Sequence, residues 1–211
     1  MRLGVKPLAF LGRVVAWLLP TYVLWLKLAP LYTQVLAALS QPLISILDRA
    51  TLLWARDTSI FFWPQLMNPP PHPPAVPAEW IEANLVLLIP LMLATPAPTW
   101  AAKAKRFVLA LAIVVAYQMV DVTVAIKFGY ANQLDPMSYA PWKRSLYAFL
   151  ADLIMSVDTQ VVPFMIWAGI HFRELVGTLT SSPVAKKIAG RSGAVSPEKP
   201  TPKLRKAKAS S

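Results

Sequence analysis

Residues 8–39 read LAFLGRVVAWLLPTYVLWLKLAPLYTQVLAAL, an almost unbroken apolar stretch near the N-terminus. A transmembrane helix rises about 1.5 Å per residue and needs roughly 20 apolar residues to cross a bilayer. The stretch is therefore long enough for one crossing and too short for two with a turn. Arg2 and Lys6 precede it, as in a secretory signal, but no small-x-small cleavage motif follows a short apolar core. This favours an uncleaved transmembrane helix over residues 8–34.

The composition of the whole chain agrees with a membrane protein. Of its 211 residues, 56% are hydrophobic and 15% are charged, which is more apolar surface than a small soluble domain could bury and too apolar for a disordered chain. The chain has no cysteine, which excludes thiol catalysis, disulfides, iron–sulfur ligation and thiolate zinc sites. With 21 prolines and only 7 glycines, it also has no glycine-rich phosphate loop.

Two segments of different character follow the first span. Residues 35–57 repeat apolar side chains at steps of three and four, which predicts an amphipathic helix on the outer side, packed on other spans or lying in the membrane interface. Residues 58–79 form a proline-rich outer connector, and its part from Asn68 to Pro77 contains six prolines. Such a sequence favours polyproline II conformation and forbids regular helix, and serves as a stiff connector or a docking site.

Three further apolar segments have the length of a membrane span. Trp80 and Trp100 frame the second, residues 80–100, and their indole rings suit the two membrane interfaces as anchors. After a cytoplasmic loop at 101–106, the third span covers residues 107–127. After an outer loop at 128–145, the fourth covers residues 146–171. The predicted fold is an all-α polytopic membrane protein with four transmembrane helices plus one amphipathic helix.

The basic residues orient these spans. With residues 1–7 in the cytoplasm, fourteen basic residues lie on the cytoplasmic side and five on the outer side, so the positive-inside rule predicts that both termini are cytoplasmic. Residues 172–211 contain most of this asymmetry and little apolar surface, which predicts a disordered basic tail. We expect the tail to contact anionic lipid headgroups. Nucleic acid is the alternative and is not expected, because the tail has no base-reading module.

Ionisable and amide side chains inside the predicted spans are the candidate functional residues, because each charge costs about 2.5–3.5 kcal/mol to insert. They are Arg13, Lys27, Gln118, Asp121, Asp152 and Asp158. Arg13 and Lys27 lie toward opposite ends of the first span and can snorkel to the interface. Asp158 lies near the middle of the fourth, where we expect a proton or cation site, a hydrogen bond to a partner subunit, or an internal pair with Lys27 or a neighbouring amide. We expect a structural or partner contact, because the three aspartates are not at helical contact spacing.

No catalytic constellation stands out in the sequence. The two histidines are His72, in the proline-rich connector, and His171, at the cytoplasmic end of the last span. Their separation argues against a histidine-based metal centre or a Ser-His-Asp triad. We therefore expect no enzymatic activity, no metal and no cofactor.

Two short motifs carry a resemblance to a known family. The first is Arg13-x-x-x-Trp17-Leu18-Leu19-Pro20, followed by Trp25 and Ala29-Pro30, and the second is Val161-Val162-Pro163-Phe164-x-x-Trp167. Together with the two central hydrophobic helices, they resemble the exosortase H-associated membrane protein family of Gram-negative bacteria. The resemblance implies an accessory protein with no assigned catalytic residues. Exosortases themselves use a cysteine, which this chain lacks.

The leading hypothesis is a non-enzymatic protein of the bacterial inner (cytoplasmic) membrane that binds another integral membrane protein, in an exosortase-type sorting system. The alternative is a supernumerary structural subunit of another inner-membrane complex, whether respiratory, photosynthetic or secretory. A small transporter is less favoured, because the sequence has no internal repeat and no paired broken helices.

Overall fold

The computed structural model describes residues 7–47, 51–65, 67–157, 161–172 and 176. Within these residues the chain is mostly helical, with five α-helices and a small antiparallel sheet. The predictions for Asp158, for residues 1–6 and for nearly all of the basic tail lie outside the described residues.

The first helix, α1, is continuous from Pro7 to Leu47 and has 41 residues. At about 1.5 Å per residue it is about 60 Å long, about twice the hydrocarbon thickness of a bilayer. It joins the predicted first span to the beginning of the predicted amphipathic helix. Pro20, Pro30 and Pro42 lie inside it, and each removes one N–H donor from the helix. Membrane helices tolerate such losses because neighbouring helices and local adjustments satisfy the freed carbonyl groups.

A three-stranded antiparallel sheet follows α1, in the order β1, β2, β3. β1 (Thr51–Arg56) pairs with β2 (Ser59–Pro64), and β2 pairs with β3 (Ala75–Pro77). The turn between β1 and β2 contains Asp57, whose φ of 55° is the left-handed conformation that aspartate adopts more readily than most residues.

This sheet contradicts the all-α prediction. Residues 51–57 are not the end of an amphipathic helix, and the predicted connector 58–79 contains two strands and the beginning of a helix. The sequences TLLWAR and SIFFWP are rich in β-branched and aromatic residues, and burial alternates along the first half of β1 and of β2, as expected for strands. A short apolar segment fits the periodicity of a helix and also that of a strand. Here the pairing of the two segments across the turn at Asp57 stabilises the strand conformation.

The Gln41 side chain connects α1 to the sheet. Its Nε2 donates to the carbonyl oxygen of Thr51 at 2.6 Å, and its Oε1 accepts a bond from the N–H of Leu53 at 2.8 Å. These backbone groups belong to an edge strand, and the Gln41 amide satisfies them as a neighbouring strand would. The end of α1 therefore holds β1 in place.

Four helices complete the described part of the chain. They are α2 (Ala78–Ala94), α3 (Trp100–Gly129), α4 (Pro141–Val157) and α5 (Val161–Ile170). A π-helical turn, Tyr130–Leu134, extends α3, and a 3₁₀ turn, Pro136–Ser138, leads into α4. α4 packs against α3, and α5 packs against both α2 and α3.

Two helical segments are long and apolar enough to cross a membrane, Leu8–Leu47 and Trp100–Leu134. α4 and α5 together would make a third span, in which the two helices differ in direction by 71°. α2 is shorter, with 17 residues, and many of its side chains are buried by the surrounding elements. The described chain thus has the helices of a membrane protein, and the count of four spans stays a prediction.

Core contacts set the direction of the helices. Near the end of α1, Leu36 packs in one cluster with Ala78 of α2 and Phe62 of β2. Near the beginning of α1, Val14 packs with Leu91 of α2. α1 and α2 are therefore antiparallel, and the sheet lies at the C-terminal end of α1.

The sheet contacts α3 at Gly129. A Cβ atom at this position would lie 2.6 Å from Cζ of Phe62, closer than real Cβ atoms come to such a neighbour. Phe62 is buried, and its ring also packs on that of Tyr130, with ring centroids 5.5 Å apart. Position 129 favours glycine, because a Cβ atom there would push Phe62, and with it the sheet, away from α3.

We predict that Gly129→Ala destabilises the protein and that Gly169→Ala does not. Overpacking costs about 1–3 kcal/mol, which exceeds the gain of about 1 kcal/mol from alanine over glycine in a helix. A Cβ at Gly169 in α5 meets no atom within 4 Å, so this matched variant has the gain without the clash. SDS unfolding titrations in mixed micelles measure both. A Gly129→Ala variant as stable as the wild type would contradict the close contact.

Candidate functional site

A polar cluster lies where α1, α2 and α3 meet. It consists of the partly buried Tyr32 and the fully buried Thr33, Glu82, Asn84 and Gln118. Gln118 of α3 is fully buried at its centre. The Gln118 Nε2 donates to Oδ1 of Asn84 at 2.6 Å and to the carbonyl oxygen of Ile81 at 2.9 Å. The Gln118 Oε1 accepts a bond from the hydroxyl of Tyr32 on α1. One amide therefore uses both of its N–H groups and its oxygen to join three helices.

Glu82 of α2 forms a second polar link in this cluster. The Glu82 Oε1 accepts a bond from the hydroxyl of Thr33 on α1 at 2.6 Å. The other oxygen, Oε2, is buried and has no hydrogen-bond partner within the described residues. Burial of a polar group costs free energy unless hydrogen bonds replace water, so the Thr33 contact is needed to offset the burial of this side chain. The link fixes the position of α1 along α2.

Sequence reasoning singled out Gln118 and missed the rest of the polar cluster. Glu82 follows Trp80 inside the second predicted span, where the insertion cost used to select Asp121 applies equally. Asn84, in the same span, is an amide like Gln118. The apolar segment that follows them hid this signal. Tyr32 and Thr33 had no comparable signal, because both residue types occur in apolar helices without a buried partner.

Asp121 and Asp152, from different predicted spans, line the same cavity of about 620 Å³. Asp121 of α3 lies one helical turn beyond Gln118 and is 2% exposed, whereas Asp152 of α4 is exposed. The rest of the lining is mainly apolar and includes Trp80. The structure thus brings two of the three predicted aspartates to one place.

Arg13 and Lys27 are both exposed on α1. Along α1, Lys27 lies between Trp25 and Tyr32, and both of these side chains pack against the buried cluster that contains Leu85 of α2. Lys27 is therefore level with the interior of the helix bundle, whereas the sequence places it toward the end of the first span.

The predicted interface anchors lie at the beginnings of two helices. Trp80 is in the first turn of α2, and Trp100 is the first residue of α3, where the Thr99 side chain accepts a bond from the N–H of Ala102. Their side chains are 57% and 84% exposed. The two indoles frame α2 and the loop after it, rather than one helix. Their function as membrane anchors stays a prediction.

The second motif of the resemblance contributes packing contacts. The indole N–H of Trp167 in α5 donates to the hydroxyl of Thr95 at 2.8 Å, and its ring stacks on Phe10 of α1. His171 is buried, with Nδ1 2.9 Å from the carbonyl oxygen of Trp167. Among the described residues, no group of three or more His, Cys, Asp or Glu side chains could hold a metal ion.

The class of protein is defined by this architecture: apolar helices long enough to cross a membrane, packed around a buried polar cluster. No family model, no curated protein and no solved structure matches the chain. The resemblance to exosortase H-associated membrane proteins therefore stays a prediction.

We predict that Gln118→Leu weakens the packing of the three helices. The substitution keeps an approximately similar side-chain size and removes three hydrogen bonds, each worth about 0.6 kcal/mol on average in a membrane protein. The expected loss in the free energy of unfolding is about 2 kcal/mol by SDS titration. Gln34→Leu, at an exposed position of α1, is the matched control and should change little. Equal effects of the two substitutions would show that the buried amide does not hold the helices together.

Proposed function

We propose that this chain is an integral membrane protein that acts by binding another membrane protein and not by catalysis. The observation that supports the proposal is Lys27, an exposed cation on an apolar face of α1. Val23, Leu24 and Leu31 lie one turn before or after it, and all three are more than half exposed.

A lysine on this face requires a favourable environment outside the described chain. Insertion of a lysine into hydrocarbon costs about 2.5–3.5 kcal/mol, which snorkelling to the interface reduces only where the interface is near. Because Trp25 and Tyr32 pack into the bundle on either side of Lys27, the backbone of Lys27 is level with buried contacts and not with a helix end. An acceptor on a partner helix would replace the lost hydration and offset the cost.

The proposed partner is a transmembrane helix with an acidic or polar side chain opposite Lys27. An exosortase-type sorting system is the assembly that the sequence motifs imply. A respiratory, photosynthetic or secretion complex of the inner membrane is the alternative, with this chain as a supernumerary subunit. Either assembly would make the same contact at Lys27. The identity of the neighbouring genes would distinguish between the two assemblies.

A photo-crosslinking amino acid at Leu31 tests the proposal in membranes of the native host. We expect a protein adduct of defined mass, and we expect Lys27→Leu to reduce its yield at least tenfold, which corresponds to about 1.4 kcal/mol of binding free energy. Lys105→Leu is the matched control, because it removes an exposed cation from the beginning of α3 and should leave the adduct unchanged. Adducts with lipid alone, or an adduct indifferent to Lys27, would contradict the proposal.

We further propose that the protein lies in the bacterial inner membrane with both termini in the cytoplasm. The antiparallel packing of α1 and α2 supports the orientation inferred from the basic residues. The Lys103 Nζ, near the beginning of α3, donates to the carbonyl oxygen of Leu93 at the end of α2, close to where α2 packs against Val14. The sheet lies at the other end of this helix pair.

Reporter fusions are expected to give opposite signals on the two sides of the membrane. Alkaline phosphatase fused after Pro77 should be active, because this enzyme matures only outside the cytoplasm, and green fluorescent protein fused at Ser211 should fluoresce. The basic asymmetry is the physical reason for the expectation. An inactive phosphatase after Pro77, at matched expression, would reverse the proposed orientation.

A further inference from the structure

The cavity that contains Asp121 and Asp152 is formed by five parts of the fold. The sheet, the first turn of α2, the second half of α3, the π-helical turn at Gln133 and the end of α4 each contribute residues to it. Its volume of about 620 Å³ lies within the range of about 300–1,000 Å³ that is typical of small-molecule sites. Lys27 is not among its lining residues, so the cavity is separate from the proposed partner contact.

The lining combines aromatic rings with carboxyl groups. Phe62, Trp80 and Phe128 supply the rings, and Asp121 and Asp152 supply the carboxyl groups. Among the described residues that line the cavity there is no lysine, arginine or histidine. A carboxylate beside apolar walls attracts a cation more strongly than a carboxylate in water, and an aromatic face adds cation–π attraction.

This lining suits an organic cation better than a metal ion or a neutral lipid. Ca²⁺ and Mg²⁺ require about six or more oxygen ligands, and within the described residues no three metal-ligating side chains are grouped together. A neutral acyl chain would fill the apolar volume but would gain nothing from two carboxyl groups. An organic cation with apolar substituents uses the rings, the carboxyl groups and the volume together.

We propose that this cavity binds a lipophilic organic cation, with a quaternary ammonium or phosphonium centre carrying apolar groups. The exposed carboxylate of Asp152 attracts the cation at the surface of α4, and the buried carboxyl group of Asp121 lies beside the charge once it is inside. This small-molecule binding goes beyond the proposed partner binding and does not depend on it.

Tetraphenylphosphonium is a suitable probe, because tetraphenylborate has the same shape and the opposite charge. Purified full-length protein in a non-ionic detergent is dialysed to equilibrium against each ion, with protein-free micelles as the baseline. We expect saturable binding of about one tetraphenylphosphonium per chain and at least tenfold weaker binding of tetraphenylborate, a difference of about 1.4 kcal/mol or more.

Two substitutions remove the ionisable carboxyl groups without changing side-chain size. Asp121→Asn should weaken tetraphenylphosphonium binding about tenfold and Asp152→Asn about threefold, because the buried partner of an ion pair matters more than the exposed one. Asp57→Asn is the matched control. It removes the same charge from the turn between β1 and β2, outside the cavity, and asparagine also tolerates the left-handed conformation. This control should leave the affinity unchanged.

Ala125→Phe keeps both carboxyl groups and reduces the volume of the cavity, which Ala125 lines from α3. It should abolish tetraphenylphosphonium binding in a protein whose SDS unfolding curve shows that it is folded, and it decides the matter if Asp121→Asn does not fold. Equal binding of the two ions, or cation binding that persists in the folded Asp121→Asn and Ala125→Phe variants, would overturn the proposal. Either result would leave the Leu31 crosslink, and with it the proposed function, intact.

Discussion

The Gln118 side-chain amide joins the three helices on which the rest of the structure depends. It bonds to Tyr32 of α1 and to Asn84 and a backbone carbonyl of α2. Inside a membrane the hydrophobic effect does not distinguish one apolar helix face from another, because lipid solvates all of them. Hydrogen bonds and close packing then decide which faces meet. The hydrogen bonds of the polar cluster, together with the close packing of the core contacts, therefore specify the arrangement of α1, α2 and α3.

The exterior of α1 has the opposite character. Large apolar side chains are exposed along most of its length, including Leu11, Leu19, Leu24 and Leu31. In water such a surface would drive aggregation, whereas in a bilayer it is the expected covering. A cation on this surface is informative for the same reason that a buried polar group is informative in a soluble protein. The environment that suits its neighbours does not suit Lys27.

The long apolar helices could be predicted from the sequence, because apolar stretches of this length are too long for a strand or a short buried helix. The predicted third span, residues 107–127, lies within α3, and the predicted first span, residues 8–34, lies within α1. The sheet could not be predicted in the same way, because TLLWAR fits either period and its pairing depends on Gln41, a residue on another element. The spacing of residues within one helix likewise says nothing about contacts between helices. Asp121 and Asp152 come together because the π-helical and 3₁₀ turns after α3 reverse the chain and bring α4 back along α3.

The part of the fold that escaped prediction is also the part that completes the cavity. Gln41 holds β1, β1 pairs with β2, and β2 positions Phe62 against Gly129. Phe62 and Gly129 both line the cavity, so this series of contacts leads from α1 to its wall. An amphipathic helix over residues 35–57 would have supplied no such wall beside α2 and α3. The strand pairing after α1 thus does more than end the helix: it places an aromatic ring in the cavity that contains Asp121, and the missing side chain at Gly129 makes that placement possible.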